Sequence, residues 1–154
     1  MEVVNLRCCG LDVHKQTVKA CIMTPELKEI RTYSTMTGDL KKLKEWLKQC
    51  GVTHVAMEST GVYWKPIYNL LEEEYTVLVV NAQHIKNVPG RKTDVKDAEW
   101  ITDLLKHGLV KGSFIPDREQ RELRELVRYR RTLIQERGDL INRIQKVLEG
   151  ANIK

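Results

Sequence analysis

A chain of 154 residues, 42% hydrophobic and 31% charged, is sized for one domain with a real core beneath a well-solvated surface. No run of about 18 apolar residues is present to cross a membrane. The first ten residues lack the charged start, apolar stretch and cleavage site of a signal peptide, so a cytoplasmic protein is expected. The net charge of +5 comes from 26 basic and 21 acidic residues. From Arg118 onward ten basic residues meet six acidic ones, and eight of the ten are arginine, the side chain suited to bidentate phosphate contact. The plainer alternative is a solvated helix laced with Glu/Arg pairs three or four apart.

In chain order, Val3 to Asp12 reads as a central strand. Thr17 to Met23 alternates, with Val18, Ala20 and Ile22 on one face and Thr17, Lys19 and Cys21 on the other, as a half-buried strand does. Glu29 to Thr35 is a third strand, and the short connections suggest an antiparallel meander. Leu40, Leu43 and Leu47, with Trp46 beside them, form an apolar helical stripe that Gly51 closes. Thr53 to Glu58 is a fourth strand and Pro66 to Glu74 a second helix, with Ile67, Leu70 and Leu71 inward. The continuous run Thr76 to Val80 suits a strand covered on both faces. A loop holding Pro89-Gly90-Arg91-Lys92 leads to a third helix, about Thr93 to His107, buried through Ile101, Leu104 and Leu105 and ended by Gly108. Pro116-Asp117 opens a long helix, with Gln120 in the capping-box position.

That last helix carries two heptad series, Leu126, Leu133, Leu140, Val147 and Val127, Ile134, Ile141, Leu148. Arg130 and Arg137 interrupt the seam. Such a repeat indicates a coiled coil or helical hairpin. The fold expected is therefore α/β, a ribonuclease H-like mixed sheet with flanking helices over residues 1–115, followed by a coiled-coil arm over 116–150. The four cysteines, Cys8, Cys9, Cys21 and Cys50, form no Cys-x-x-Cys pair and read as reduced thiols filling the core.

Four acids fall at telling places on this scaffold. Asp12 ends the first strand and Glu58 the fourth, so parallel neighbours would bring both to one carboxyl edge of the sheet, where ligands bind in open α/β sheets. Asp94 and Asp97 are spaced to share a helix face. Converging carboxylates need neutralisation, and hard oxygen ligands select Mg²⁺ or Mn²⁺, the ions of two-metal phosphodiester chemistry. Singly, each acid also suits a turn, the surface or a helix start.

At these residues the chain resembles the DEDD transposases of the insertion sequence 110 family, related to the Piv invertase. The matching pieces are Gly10-Leu11-Asp12-Val13-His14-Lys15, Glu58-Ser59-Thr60-Gly61-Val62-Tyr63-Trp64 and Lys92-Thr93-Asp94-Val95-Lys96-Asp97-Ala98, with the Arg-rich run from Leu126 to Gln145. The resemblance implies a RuvC-like domain whose catalytic and metal-binding acids are Asp12, Glu58, Asp94 and Asp97. It further implies a recombinase that excises and inserts a mobile DNA element, guided by a structured bridge RNA. A serine from a C-terminal domain would be the nucleophile, and the coiled coil would join protomers and help hold RNA. That serine domain has no counterpart before Lys154, so an excised N-terminal fragment or a truncated gene product is expected, one that does not recombine DNA alone. Asn81 is followed by Ala82, where the family often has proline.

Lys15, Arg91, Lys92 and Lys96 flank the acids and are candidates to meet phosphates or to balance charge, while Arg124, Arg128 and Arg131 are candidates on the arm. His14 reads as structural or as support to the site. Tyr63, Trp64 and Trp100 read as core. Two alternatives stand beside the recombinase domain: a metal-dependent RuvC-like endonuclease using water, and an RNA-binding and dimerisation module without activity of its own.

Overall fold

The computed structural model describes residues 2–58, 61–89 and 96–154, apart from the Lys86 side chain. In chain order the elements are β1 (Cys8–Val13), β2 (Thr17–Met23), β3 (Lys28–Ser34), α1 (Thr37–Gln49), β4 (His54–Glu58), α2 (Trp64–Leu71), β5 (Thr76–Val80), α3 (Ala82–Asn87), α4 (Asp97–Lys106) and α5 (Arg118–Gly150). One compact unit ends at Ser113 and a second begins at Phe114.

The first unit is built on a five-stranded sheet in the order β3-β2-β1-β4-β5. The pairs β1–β2 and β2–β3 are antiparallel, whereas β1–β4 and β4–β5 are parallel. This is the mixed sheet with flanking helices that the alternation of strands and helices predicts. Central β1 is buried along its whole length, because helices cover both of its faces. On one face, α4 packs over Cys8, Cys21, Met23, Ala56 and Val80 through Ala98, Ile101, Leu104 and Leu105. On the other, Trp46 of α1 meets Tyr33 of β3 at a ring distance of 6.0 Å and lies under the Arg31 guanidinium. Cys21 is therefore fully buried on the face where alternation alone places an exposed side chain.

Several boundaries differ from the sequence reading, each for a local reason. Residues 3–7 do not extend β1. The backbone amides of Val4 and Asn5 instead donate to the Lys106 carbonyl at 2.9 and 3.0 Å, and the Asn5 side-chain amide donates to Leu105 O at 2.7 Å. The end of α4 thereby gains donors for carbonyls that no helical turn can satisfy. α2 starts at Trp64, ahead of Pro66, whose missing N–H is harmless in a first turn. Tyr63 sits exposed before that helix rather than in the core, and Leu70 is only half-buried.

β5, expected to be covered on both faces, has Val79 and Val80 buried on opposite faces, with Thr76 exposed, and it forms one edge of the sheet. Its free edge is guarded further along the chain, where the Ser113 amide donates to Val79 O at 2.7 Å. Covering an edge in this way blocks pairing with foreign strands. The sequence reading missed α3, whose cap is the Asn81 side chain accepting from the Gln83 amide at 2.8 Å. Ala82 is the first residue of that helix, a position where proline is at home, so the departure from the family pattern costs little.

α4 begins at Asp97, not Thr93, since Lys96 holds an extended cap conformation (φ −64°, ψ 145°). Both α1 and α4 end in the same way. Gly51 and Gly108 adopt φ of +65° and +66°. The amides of Val52 and Leu109 then reach back to Leu47 O and Leu104 O, the double-bonded closure that a left-handed glycine permits.

The second unit is dominated by α5, 33 residues long and so about 50 Å from end to end. Asp117 caps it by accepting from the Gln120 amide at 2.8 Å. Its heptad seam is exposed along the whole helix, from Leu126 at 66% to Val147 at 73%. No helix among the described residues is long and apolar enough to cross a membrane.

Candidate functional site

Strand register places the first two acids. Leu11 of β1 pairs with Met57 of β4 in parallel, so one step further Asp12 and Glu58 sit side by side on the same face. Glu58 is the last residue of β4, and Asp12 the last but one of β1. Both stand at the carboxyl edge, as expected from the sequence.

The third acid arrives on α4, which lies on that same face and runs antiparallel to β1. Its last turn meets residues 4 and 5 just before the strand. Thr102 meets Gly10, and Asp97, the first helical residue, stands at the helix end directed to the carboxyl edge. The Thr102 hydroxyl accepts from the Gly10 amide at 3.0 Å and lies within donating distance of Ala98 O at 2.6 Å and Cys21 O at 3.1 Å. A Cβ on Gly10 would fall 2.5 Å from Ala98 O and from Thr102 Oγ1, so glycine alone allows the helix this close.

Asp12 is nearly buried, at 9% exposure. Its Oδ2 lies 3.2 Å from Nε2 of the more exposed His14, and Lys19 faces it directly across the β1–β2 pair. Lys19 and Thr102 are the site neighbours that sequence reading overlooked. For Lys19 a signal existed, because its alternation places it on the Cys21 face. For Thr102 there was none, since a threonine inside a helix announces no partner 92 residues away. Lys15 lies exposed in the turn after β1, where its carbonyl accepts from the Thr35 hydroxyl at 2.8 Å. Lys96 is exposed immediately before α4.

Asp94, Arg91, Lys92 and Thr60 lie outside the described residues. The expected face shared by Asp94 and Asp97 therefore falls outside the described residues as well, and α4 presents Asp97 as its first residue. Among the described residues no three His, Cys, Asp or Glu side chains gather closely enough to hold a metal ion. Asp12, Glu58 and Asp97 thus share a face and an edge without closing a three-ligand set by themselves. The donor chemistry, all carboxylate oxygen, fits a hard divalent cation.

The thiols are not candidates for covalent chemistry. All four cysteines are free, and burial pushes Cys8 up to about 11 and Cys9 and Cys21 upward as well. Cys8, Cys9 and Cys21 stay protonated and shielded within the sheet. On the arm, Arg124, Arg128 and Arg131 are exposed.

Comparison with known proteins adds three findings. Residues 9–153 match the DEDD transposases of insertion sequence 110, a family described as transposase. The transposase for insertion sequence element IS1533 of Leptospira borgpetersenii is 26% identical over 153 residues, covering 94% of this chain and 44% of that protein, so the chain spans less than half of this relative. RuvC of T. thermophilus, solved in complex with a Holliday junction substrate, aligns with 70% of this chain and 99% of its own at a TM-score of 0.49 and 11% identity. A match that takes in the acid-bearing sheet and nearly all of the arm shows that the chain belongs to the DEDD transposase family of insertion sequence 110.

Proposed function

We propose that this chain is the catalytic-metal domain and arm of a DNA transposase that excises and inserts a mobile element. The observation that carries the reading is the convergence of Asp12, Glu58 and Asp97 on one face at the carboxyl edge, brought there by the parallel β1–β4 pair and by α4 running against it. Asp94 completes the set in this reading, and the four acids hold Mg²⁺ or Mn²⁺. A divalent cation bound there supplies Lewis-acid polarisation of a phosphodiester oxygen.

The chain's own groups do the rest. His14 fixes one oxygen of Asp12. Lys19 balances carboxylate charge, while Lys15 and Lys96, with Arg91 and Lys92, draw the DNA backbone to the acids. In the finer mechanism of this proposal a serine hydroxyl from a C-terminal domain attacks the phosphorus and gives up its proton, one P–O bond of the DNA backbone breaks and its oxygen leaves as a hydroxyl on taking up a proton, and a structured guide RNA chooses the target.

Calorimetric titration with Mn²⁺ tests the metal centre. Saturable binding by the chain, lost in the Asp12→Asn, Asp94→Asn double variant, is the expected result. Equal heats in both proteins would remove the carboxylate centre from consideration.

A second reading is favoured by the arm. The exposed α5 joins an apolar seam to a stripe of Arg121, Arg124, Arg128 and Arg131, which successive steps of three and four residues place on one helical face. In that reading the arm binds RNA and pairs with a second copy through the seam, whatever the acids do. Neutralising Arg124, Arg128 and Arg131 together is expected to weaken RNA binding at least tenfold. The slope of log affinity against log salt should also fall by about two to three, because each lost phosphate contact releases fewer counterions. Asp94→Asn should leave binding intact. An unchanged salt slope in the triple variant would show that these arginines face away from RNA.

A further inference from the structure

Deep in the first unit, one contact joins the two elements that bring the acids together. Thr102 is fully buried and is saturated by groups from three segments: the Gly10 amide on β1, the Cys21 carbonyl on β2 and the Ala98 carbonyl one helical turn back. The bond to Ala98 is an i−4 hydroxyl-to-carbonyl bond of the kind that bends or fixes a helix locally. The missing Cβ of Gly10 lets the α4 backbone come so near that Thr102 N stands 2.6 Å from where that carbon would be. Asp97 follows from this contact by a rigid span of five residues, about 7.5 Å along the helix. Asp12 follows from it by two residues along β1. Both acids are thus referred to a single fixed point, and the helix has no freedom to slide without breaking the two polar contacts that tie Thr102 to Gly10 and Cys21.

We propose that Gly10 and Thr102 form a lock setting the position of Asp97 against Asp12, which makes Thr102 a positioning residue for the carboxylate centre. The inference rests on reading that edge as a divalent-metal site. Valine at 102 keeps the size and branching of threonine but replaces the hydroxyl by a methyl group. A methyl carbon cannot occupy hydrogen-bond distances of 2.6–3.1 Å from two carbonyl oxygens and an amide nitrogen, so α4 must retreat from β1 close to Asp97. Serine keeps the hydroxyl and loses only the methyl.

The test is Mn²⁺ binding by the whole chain, read by calorimetry and by the quenching of the free-Mn²⁺ paramagnetic signal, at a temperature where each variant is shown to be folded. Thr102→Val is expected to weaken Mn²⁺ binding about ten- to a hundredfold, the range commanded by supports that orient metal ligands. Thr102→Ser should restore it to within about threefold of the parent, and Asp97→Asn should abolish it. A purely structural role would lower the melting temperature of Thr102→Val and leave the dissociation constant of the folded protein where it was. That outcome, with Asp97→Asn still abolishing binding, overturns the lock and spares the metal centre. If Asp97→Asn binds Mn²⁺ as the parent does, or the parent does not bind it, the metal reading fails and the lock fails with it.

Discussion

Replacing Gly10 by alanine is expected to cost about 3 kcal/mol or more of folding stability and to lower the melting temperature by roughly 10 °C or more. The added methyl carbon would stand 2.5 Å from Ala98 O and Thr102 Oγ1 and 2.6 Å from Thr102 N. Two of those atoms are backbone and cannot rotate aside, so the whole of α4 must move. Overpacking a close-fitted core typically costs about 1–3 kcal/mol, and the strained Gly10–Thr102 hydrogen bond adds about 1 kcal/mol. Urea denaturation checks the figure, with Gly38→Ala as control. Gly38 lies in the first turn of α1 with nothing within 4 Å of an added Cβ, so alanine there should leave stability unchanged or raise it by up to about 1 kcal/mol. Equal midpoints for Gly10→Ala and the parent would mean that α4 does not sit against β1 as described.

Asp12→Asn is expected to separate activity from stability. In a transposase that includes this chain, DNA strand cleavage should fall about a thousandfold, since the charge stabilisation lost at a metal centre is several kcal/mol and each tenfold corresponds to about 1.4 kcal/mol. Folding should change by no more than about 1 kcal/mol. Asparagine keeps the shape of the side chain, retains an acceptor for His14, and relieves repulsion from Glu58 and Asp97 when no cation is bound. Single-turnover cleavage at saturating Mg²⁺ and thermal melting of the same protein supply the two readings. Cleavage within a few-fold of the parent would exclude Asp12 from the chemistry, and a collapse in melting temperature would recast it as a structural acid.

The residues that announced the fold did so because their patterns are physically redundant. Thr17–Met23 and Thr76–Val80 were legible to the residue, since alternation matches the strand period and a short apolar run rich in β-branched residues suits a covered strand. Gly51 and Gly108 marked helix ends because few residues other than glycine take their backbone angles readily. What escaped depended on partners distant in sequence. Val3 to Arg7 has the composition of a strand, yet its amides are claimed by the end of α4. Cys21 has the pattern of a surface position, yet α4 covers it. Tyr63 has the size of a core residue, but the turn after β4 leaves it outside. Short α3 went unread because six residues hold too few periods to count. For the site, strand ends could be placed from sequence and so could the pairing of Asp12 with Glu58. The start of α4 could not, because the extended Lys96 that precedes it carries no helix-breaking signature in its side chain.

The separation between β1 and α4 along the chain has a consequence for how the acid edge comes into being. The contacts that hold them span about ninety to a hundred residues, from Gly10–Thr102 to Asn5–Leu105. Closing so long a loop is entropically slow to begin and weights the topology toward non-local contacts. Asp12 therefore leaves the ribosome some 85 residues ahead of Asp97. Until α4 is made and docks, the sheet face bearing Cys8, Cys21 and Ala56 stands uncovered and the third carboxylate is elsewhere. Burial of that face and completion of the charge cluster are then one event, in which the apolar gain of docking α4 drives the acids together against their mutual repulsion.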